Sequence, residues 1–150
     1  MRGMEIRDRV DLYKQYFRDC KAVEPVRKLL KAGVPVDRIE ALEAIRALNT
    51  ELSDLYMVEI PVITCWVRDS NYVIETREIY LTEPDLKDFL HNFRHHLQNI
   101  ERRYERRGLT VEGKQELAQI PYKDCMYKLR GEDDAIAWSI MLLELCGHKY

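Results

Sequence analysis

Apolar side chains recur every three or four residues through the first part of the chain, which is the spacing of one face of an α-helix. The pattern predicts a helix over residues 4–21, a short helix over residues 23–32 that ends at Gly33, and a longer helix over residues 36–57. The longest of these repeats consists of Ile39, Leu42, Ile45, Leu48, Leu52 and Leu55. The N-terminal third is therefore predicted to be helical.

The middle of the chain is instead rich in β-branched and aromatic residues, which favour strands. These residues form two stretches, 58–67 and 71–81, on either side of a turn-like sequence at 68–70. The simplest prediction is a hairpin or two neighbouring strands. Pro61 has no backbone N–H to donate, so it favours an edge position or a bulge for the first strand.

The most regular helical pattern lies over residues 82–107. Thr82 and Asp85 are expected to cap its start, and Gly108 is expected to end it. One stripe of this helix is apolar and consists of Leu86, Phe89, Leu90, Phe93, Leu97, Ile100 and Tyr104. This stripe is predicted to face the core.

The rest of the chain predicts a short helix over residues 110–120, an irregular segment over residues 122–131 and a last helix over residues 132–146. Helices, then strands, then helices again are the order of an α+β domain. A chain of this length can bury one core but is short for two, so we predict a single domain over residues 1–150.

Composition excludes several classes of protein. The chain is 46% hydrophobic and 33% charged, with a formal net charge of −2, so no overall basic field favours nucleic acid as a partner. No apolar run approaches the roughly 20 residues that cross a membrane. The N-terminus lacks the apolar segment of a signal peptide. We therefore expect a cytoplasmic protein without a membrane partner.

Arg, Lys and Glu are abundant while Ser, Asn and Gln are scarce, a bias that resembles thermophile usage. This bias bears on the state of the four cysteines, Cys20, Cys65, Cys125 and Cys146. They are expected to be free thiols in an ordinary cytosol, whereas one or two disulfides are compatible with a hyperthermophile. No C-x-x-C spacing supports a thiolate zinc site or a redox pair.

The candidate chemistry lies in residues 89–98, FLHNFRHHLQ, which hold three of the four histidines. His91 and His95 are four residues apart on the side opposite the apolar stripe, where Cβ atoms lie about 5–6 Å apart on a helix. Two imidazole nitrogens at that spacing can reach one tetrahedral ion. His96 does not converge with them and is expected to flank the site. The alternative is a solvated polar face without metal.

A zinc site of this kind needs a third protein ligand. Three adjacent acids, Glu132, Asp133 and Asp134, open the last predicted helix. Acids at a helix start also interact favourably with the helix dipole, so this second explanation stays open beside metal binding.

The two segments together resemble zincin-type metallopeptidases, which carry two histidines on one helix and a glutamate on the next. More narrowly, they resemble small, poorly characterised metallopeptidases of archaea, bacteria and their viruses, with the patterns L-H-E-F-x-H-x-L-Q and E-x-x-A-x-x-W/F-A. The matching positions are Leu90, His91, Phe93, His95, Leu97, Gln98, Glu132, Ala135 and Trp138. The resemblance covers residues 58–146. The resemblance implies a zincin-like core over 58–150, and the helical part over 1–57 lies outside it.

The resemblance implies that His91, His95 and Glu132 are the ligands of a zinc ion. Asp133 and Asp134 remain alternatives to Glu132, because a helix start predicted from sequence is uncertain by a residue or two.

Asn92 stands where such enzymes carry the glutamate that takes a proton from the attacking water. An amide cannot accept and return a proton as a carboxylate does. Asp88, one turn before His91, is expected either to be solvated or to orient the His91 imidazole.

We therefore expect a degenerate, metallopeptidase-like protein that binds zinc but is catalytically weak or inactive. Three alternatives stay open: an active hydrolase with another base, an engineered Glu-to-Asn knock-out, and an interaction module without metal that binds a peptide or protein. A solvated helix end is the simplest interpretation of Arg102, Arg103, Arg106 and Arg107, and contact with an acidic partner or nucleic acid is the alternative. Core packing is the simplest interpretation of the N-terminal aromatics Tyr13, Tyr16 and Phe17, and a homo-oligomer interface is the alternative.

Overall fold

The fold is given by a computed structural model that describes residues 5–106 and 131–147, with side chains described up to residue 101 in the first range. In chain order its elements are α1 (Ile6–Tyr16), α2 (Val23–Ala32), α3 (Arg38–Tyr56), β1 (Val62–Cys65), β2 (Asn71–Val73), β3 (Glu78–Leu81), α4 (Leu86–Arg106) and α5 (Gly131–Leu145). The architecture is mixed α+β with a small three-stranded sheet, as the order of patterns predicts.

The N-terminal helices occur where the apolar spacing predicts them, but α1 is shorter than expected. It ends at Tyr16, and the Cys20 N–H donates to the Phe17 carbonyl in a turn that follows. Phe17 and Cys20 are both buried, so the apolar spacing continues through a segment that is no longer helical. The start of α3 is fixed by Asp37, whose carboxylate accepts from two first-turn amides at 3.0 Å.

The sheet differs from the predicted pair of strands. The second predicted strand, 71–81, divides into β2 and β3, and the Arg77 N–H donates to the Val73 carbonyl in the turn between them. β3 lies in the middle, antiparallel to β2 and parallel to β1. The prediction of 58–67 and 71–81 as two strands is therefore wrong, because residue type alone does not reveal the turn. β1 lies at an edge, as Pro61 predicts.

The start of α4 is capped by Asp85 rather than by Thr82. The Asp85 carboxylate accepts from the Asp88 N–H at 2.9 Å, while the Thr82 N–H donates to the Ser70 hydroxyl at 2.9 Å. Thr82 thus joins the end of β3 to the segment before β2. The helix predicted over 110–120 and nearly all of the segment predicted over 122–131 lie outside the described residues.

α4 lies between the sheet and α5, and it is buried on more than its apolar stripe. Among the side chains described up to residue 101, the residues of the apolar stripe are buried, and five polar residues are also almost fully buried: Asn92, Arg94, His96, Asn99 and Glu101. α5 packs against both α4 and α1. It contributes to the core Ala135, Ala137, Trp138, Met141, Leu142 and Leu143. The polar residues of α4 must therefore find their partners inside the protein.

The interior contains an ion pair between α4 and α5. The Arg94 guanidinium donates to the Asp134 carboxylate at 2.8 and 3.1 Å, and both residues are buried. The Tyr13 hydroxyl of α1 donates to the same carboxylate at 2.5 Å. The rings of Phe17 and Trp138 lie 5.4 and 5.2 Å from the Arg94 guanidinium. Burial disfavours the charged carboxylate, but Arg94 outweighs this and holds the pKa of Asp134 below its usual value.

The cysteines of the described residues are free thiols. Cys20 is buried, and Cys65 and Cys146 are half-buried. Burial raises the pKa of Cys146 to about 11. Cys125 lies outside the described residues. Of the two alternatives, free thiols hold for the three described cysteines.

Replacing Asp134 with Asn leaves the Arg94 guanidinium buried without its counter-charge. Breaking such a pair typically costs about 3–5 kcal/mol, and we expect the free energy of unfolding in urea to fall by about that amount. The matched control is Asp133→Asn, which removes a half-buried carboxylate one position earlier and is expected to change stability by only about 0.5 kcal/mol. Equal losses in the two variants would contradict a special role for the ion pair.

Glu144 gives the contact between α1 and α5 a pH dependence. Its carboxylate accepts from Arg7 at 2.7 Å and pairs with Lys14, and the Arg7 hydrogen bond is the main cause that lowers the pKa of Glu144 to about 2. Because the pKa of Glu144 is lower in the folded protein than its ordinary value of 4.5, the ionised carboxylate stabilises the fold at any pH above 4.5. This stabilisation decreases below pH 4.5 and is lost as the pH falls through about 2.

We therefore expect Glu144→Gln to be less stable than the unmodified protein at pH 7 and equally stable near pH 2. Urea unfolding across this pH range measures the difference. Arg7 is more than half exposed, so the difference should also shrink in high salt. A difference that does not change with pH would argue against the ion pair as its cause.

Candidate metal centre

A cleft of about 500 Å³ lies between α4, the β2 segment and the start of α5. Its lining residues are Ser70, Asn71, Tyr72, Ile74, Asp88, His91, Asn92, His95, Gln98, Asn99 and Glu132. The side chains of His91 and His95 are 23% and 21% exposed. The face of α4 opposite its apolar stripe is therefore not an open solvated surface. It forms one wall of a polar cleft.

Three of the residues predicted as ligands converge in this cleft. Glu132 Oε1 forms an ion pair with His91 Nε2 and lies 3.6 Å from His95 Nε2. The two imidazole rings are 5.0 Å apart between centroids. One donor atom from each of the three residues lies within 4.8 Å of the other two. α4 supplies both imidazoles, and the first turn of α5 supplies the carboxylate.

This group could hold a metal ion. Zinc–nitrogen and zinc–oxygen bonds of about 2.0–2.2 Å in a tetrahedron place neighbouring donor atoms roughly 3.4 Å apart. The distance of 3.6 Å between His95 Nε2 and Glu132 Oε1 is close to that value. Two imidazoles and one carboxylate are also the donors of known catalytic zinc sites, which keep a fourth position open for water.

The other two acids of the first turn of α5 lie outside this cluster. Asp134 is buried and paired with Arg94 on another side of the helix. Asp133 is half-buried and is not part of the converging group in the described residues. Successive helical residues point about 100° apart, so only one of three adjacent acids can face the histidines. In the structure that acid is Glu132.

The contacts of the two imidazoles differ. Burial lowers the pKa of His91 below its usual value, although the Glu132 carboxylate opposes this effect. His95 Nδ1 lies 3.0 Å from Gln98 Oε1, an oxygen that can only accept, so Nδ1 carries the proton and Nε2 keeps its lone pair.

His96 has a different environment from the other two histidines of α4. It is fully buried, its Nδ1 accepts from the Tyr72 hydroxyl at 2.7 Å, and its Nε2–H donates to the Glu59 carbonyl at 2.7 Å. Asn99 donates to the same Tyr72 oxygen at 3.0 Å. His96 therefore joins α4 to the sheet and does not flank the metal ligands as the sequence suggests.

Asn92 lines the cleft but is only 3% exposed. Its amide nitrogen donates to the Asp88 carbonyl at 2.9 Å and to the Asp88 carboxylate at 3.3 Å. The Asn92 side chain is therefore hydrogen-bonded to the preceding turn of α4.

Asp88 is neither fully solvated nor bound to His91. Its carboxylate accepts from the Ser70 hydroxyl at 2.5 Å as well as from Asn92. The sequence indicates Ser70 only as part of a turn and Gln98 only as a position of the zincin-like motif. The spacing of three residues between His95 and Gln98 is a signal that could have indicated their contact.

No protein family, curated protein sequence or solved structure matches this chain. In the described part of the chain, no helix combines the length and the apolar character that crossing a membrane requires. The resemblance to zincin-type metallopeptidases therefore depends on the short sequence motifs alone.

Proposed function

We propose that the protein is a zincin-related zinc-binding protein that holds the ion through His91, His95 and Glu132 and lacks the general base of a metallopeptidase. The observation that carries the proposal is the convergence of these three donor groups, from two helices distant in sequence, within 4.8 Å in one cleft. A solvated polar face would not bring the carboxylate of α5 to the imidazoles of α4.

The choice of zinc follows from the donors and their spacing. Two histidines one helical turn apart and a carboxylate suit tetrahedral zinc. The same donor types also suit iron(II) and other first-row metals, so a metal analysis should measure these elements together.

A zinc ion held by these residues would supply Lewis acidity and would lower the pKa of a water molecule toward neutrality. The chain must then provide a group that takes up the proton. Asn92 can hydrogen-bond at that position but cannot accept the proton. A general base contributes roughly 10²–10⁴-fold to the rate, so peptide hydrolysis is expected to be weak. The proposed protein acts mainly by binding, with a peptide or protein as its ligand.

One observation favours a second candidate, an active hydrolase with a different base. The Asp88 carboxylate lies 3.3 Å from the Asn92 amide nitrogen, on the wall of the same cleft. It is therefore one hydrogen bond away from the position of the missing glutamate. In this candidate Asp88, held by Ser70, takes the proton.

Metal content tests the proposal directly. We expect about one zinc per chain in untagged protein measured by mass spectrometry, and a loss of that zinc in His91→Ala, His95→Ala and Glu132→Gln. The matched control is Asp133→Asn, which removes the adjacent carboxylate and should keep the metal. Zinc retained by the three ligand variants, or lost equally in the control, would refute the assigned ligand set.

Restoring the base tests the catalytic part. We expect zinc-loaded Asn92→Glu to hydrolyse casein or an unstructured peptide faster than the unmodified protein, by a factor on the order of 10² or more. Asp88→Asn should leave the weak activity of the unmodified protein unchanged. Loss of a measurable activity in Asp88→Asn would instead support the second candidate. No gain in zinc-loaded Asn92→Glu would contradict the idea that Asn92 alone accounts for the weak hydrolysis.

A further inference from the structure

We infer that Gln98 is a positioning residue that fixes the His95 imidazole in the form that binds a metal ion, and that Gly131 provides the space for it. The inference deepens the proposed function and depends on it for the identity of the ion. It is argued from the hydrogen bonds that the Gln98 side chain forms with His95, Gly131 and Asp134.

The orientation of the Gln98 amide is determined by two acceptors. Its nitrogen donates to the Gly131 carbonyl at 2.9 Å and to the Asp134 carboxylate at 2.7 Å. Neither acceptor can donate a proton, so the NH₂ group must face them. The amide oxygen is thereby turned toward His95.

The amide oxygen in turn determines which nitrogen of His95 carries the proton. Gln98 Oε1 lies 3.0 Å from His95 Nδ1 and can only accept. Nδ1 is therefore the N–H of the neutral imidazole, and Nε2 keeps a lone pair on the side of Glu132. Ligand histidines commonly donate their second N–H to a fixed acceptor, and loss of that acceptor typically weakens metal binding about 10- to 100-fold.

Gly131 is needed because the Gln98 side chain passes against its Cα. A Cβ at this position would lie 2.8 Å from Gln98 Oε1, closer than such contacts occur. The contacted atom is the end of a flexible side chain, so an alanine would displace the amide without moving the backbone. Gly131 is the first residue of α5 and its φ lies outside the left-handed region, so alanine can adopt the same backbone and should not destabilise the helix.

Asp134 connects this arrangement to the core. One carboxylate oxygen, Oδ2, accepts from both Arg94 and Gln98. The orientation of the amide therefore depends on the packing of α5 against α4, and the same packing brings Glu132 to the histidines. The contact between α4 and α5 therefore positions both His95, through Gln98, and Glu132.

Two variants separate positioning from general stability. Gln98→Met keeps the length of the side chain and removes its polar atoms, whereas Gly131→Ala keeps the glutamine and displaces it. Nitrogen-15 NMR of the metal-free proteins at pH 8 reports which imidazole nitrogen of His95 carries the proton. We expect the Nδ1–H form in the unmodified protein and a gain of the Nε2–H form in both variants.

Zinc affinity, measured by competition with a chromophoric chelator, is the second readout. Both variants should bind zinc about 10- to 100-fold more weakly than the unmodified protein. Gly131→Ala should show this loss without a lower midpoint of thermal unfolding, a combination that a merely structural role would not produce.

The outcomes distinguish this inference from the proposed function. An Nε2–H form in the unmodified protein, or unchanged zinc affinity in both variants, would overturn the role of Gln98. If the unmodified protein shows the Nδ1–H form but binds no zinc, the proposed function fails while the hydrogen bond to Gln98 is supported.

Discussion

The buried contact between Arg94 and Asp134 is the constraint on which the rest of the structure depends. The two residues lie 40 positions apart in the chain and come from the two helices that pack most closely. A guanidinium in the interior requires a carboxylate partner with good geometry, because an unpaired buried charge is strongly unfavourable. Only one rotation of α5 about its axis satisfies Arg94. That rotation also directs Glu132 into the cleft and turns Gln98 toward His95, so the core pair sets the geometry of the candidate metal site.

The sequence predicts the helices better than the sheet, for a physical reason. Helical spacing is local, and the apolar repeat over 36–57 corresponds closely to α3. Strand pairing is not local. β1 pairs with β3 although β2 lies between them in the sequence, and the periodicity within one strand does not reveal its partner. The turn between β2 and β3 was missed because Ile74 and its neighbours have the composition of a strand.

The residues that converge in the cleft could be identified from the sequence, but the residues that orient them could not. The spacing of His91 and His95 and the acids of α5 are visible in the sequence. The choice of Glu132 among three acids required the rotation of α5, which depends on Asp134 and its partner Arg94. Arg94 reads from the sequence as an ordinary polar position beside the apolar stripe. Arg94 is buried because α5 and the end of the α1 segment pack over it, and this packing cannot be read from the sequence of α4.

The position of the ligands on two helices has a consequence for folding. An ion held by α4 and α5 would close the long stretch of chain between them, and its binding free energy would add to that of the folded state, since the unfolded chain does not gather the three donors. The metal would thus act as a removable cross-link. Removing it with a chelator would take away this added stability, while the pair of Arg94 and Asp134 would still hold α5 against α4.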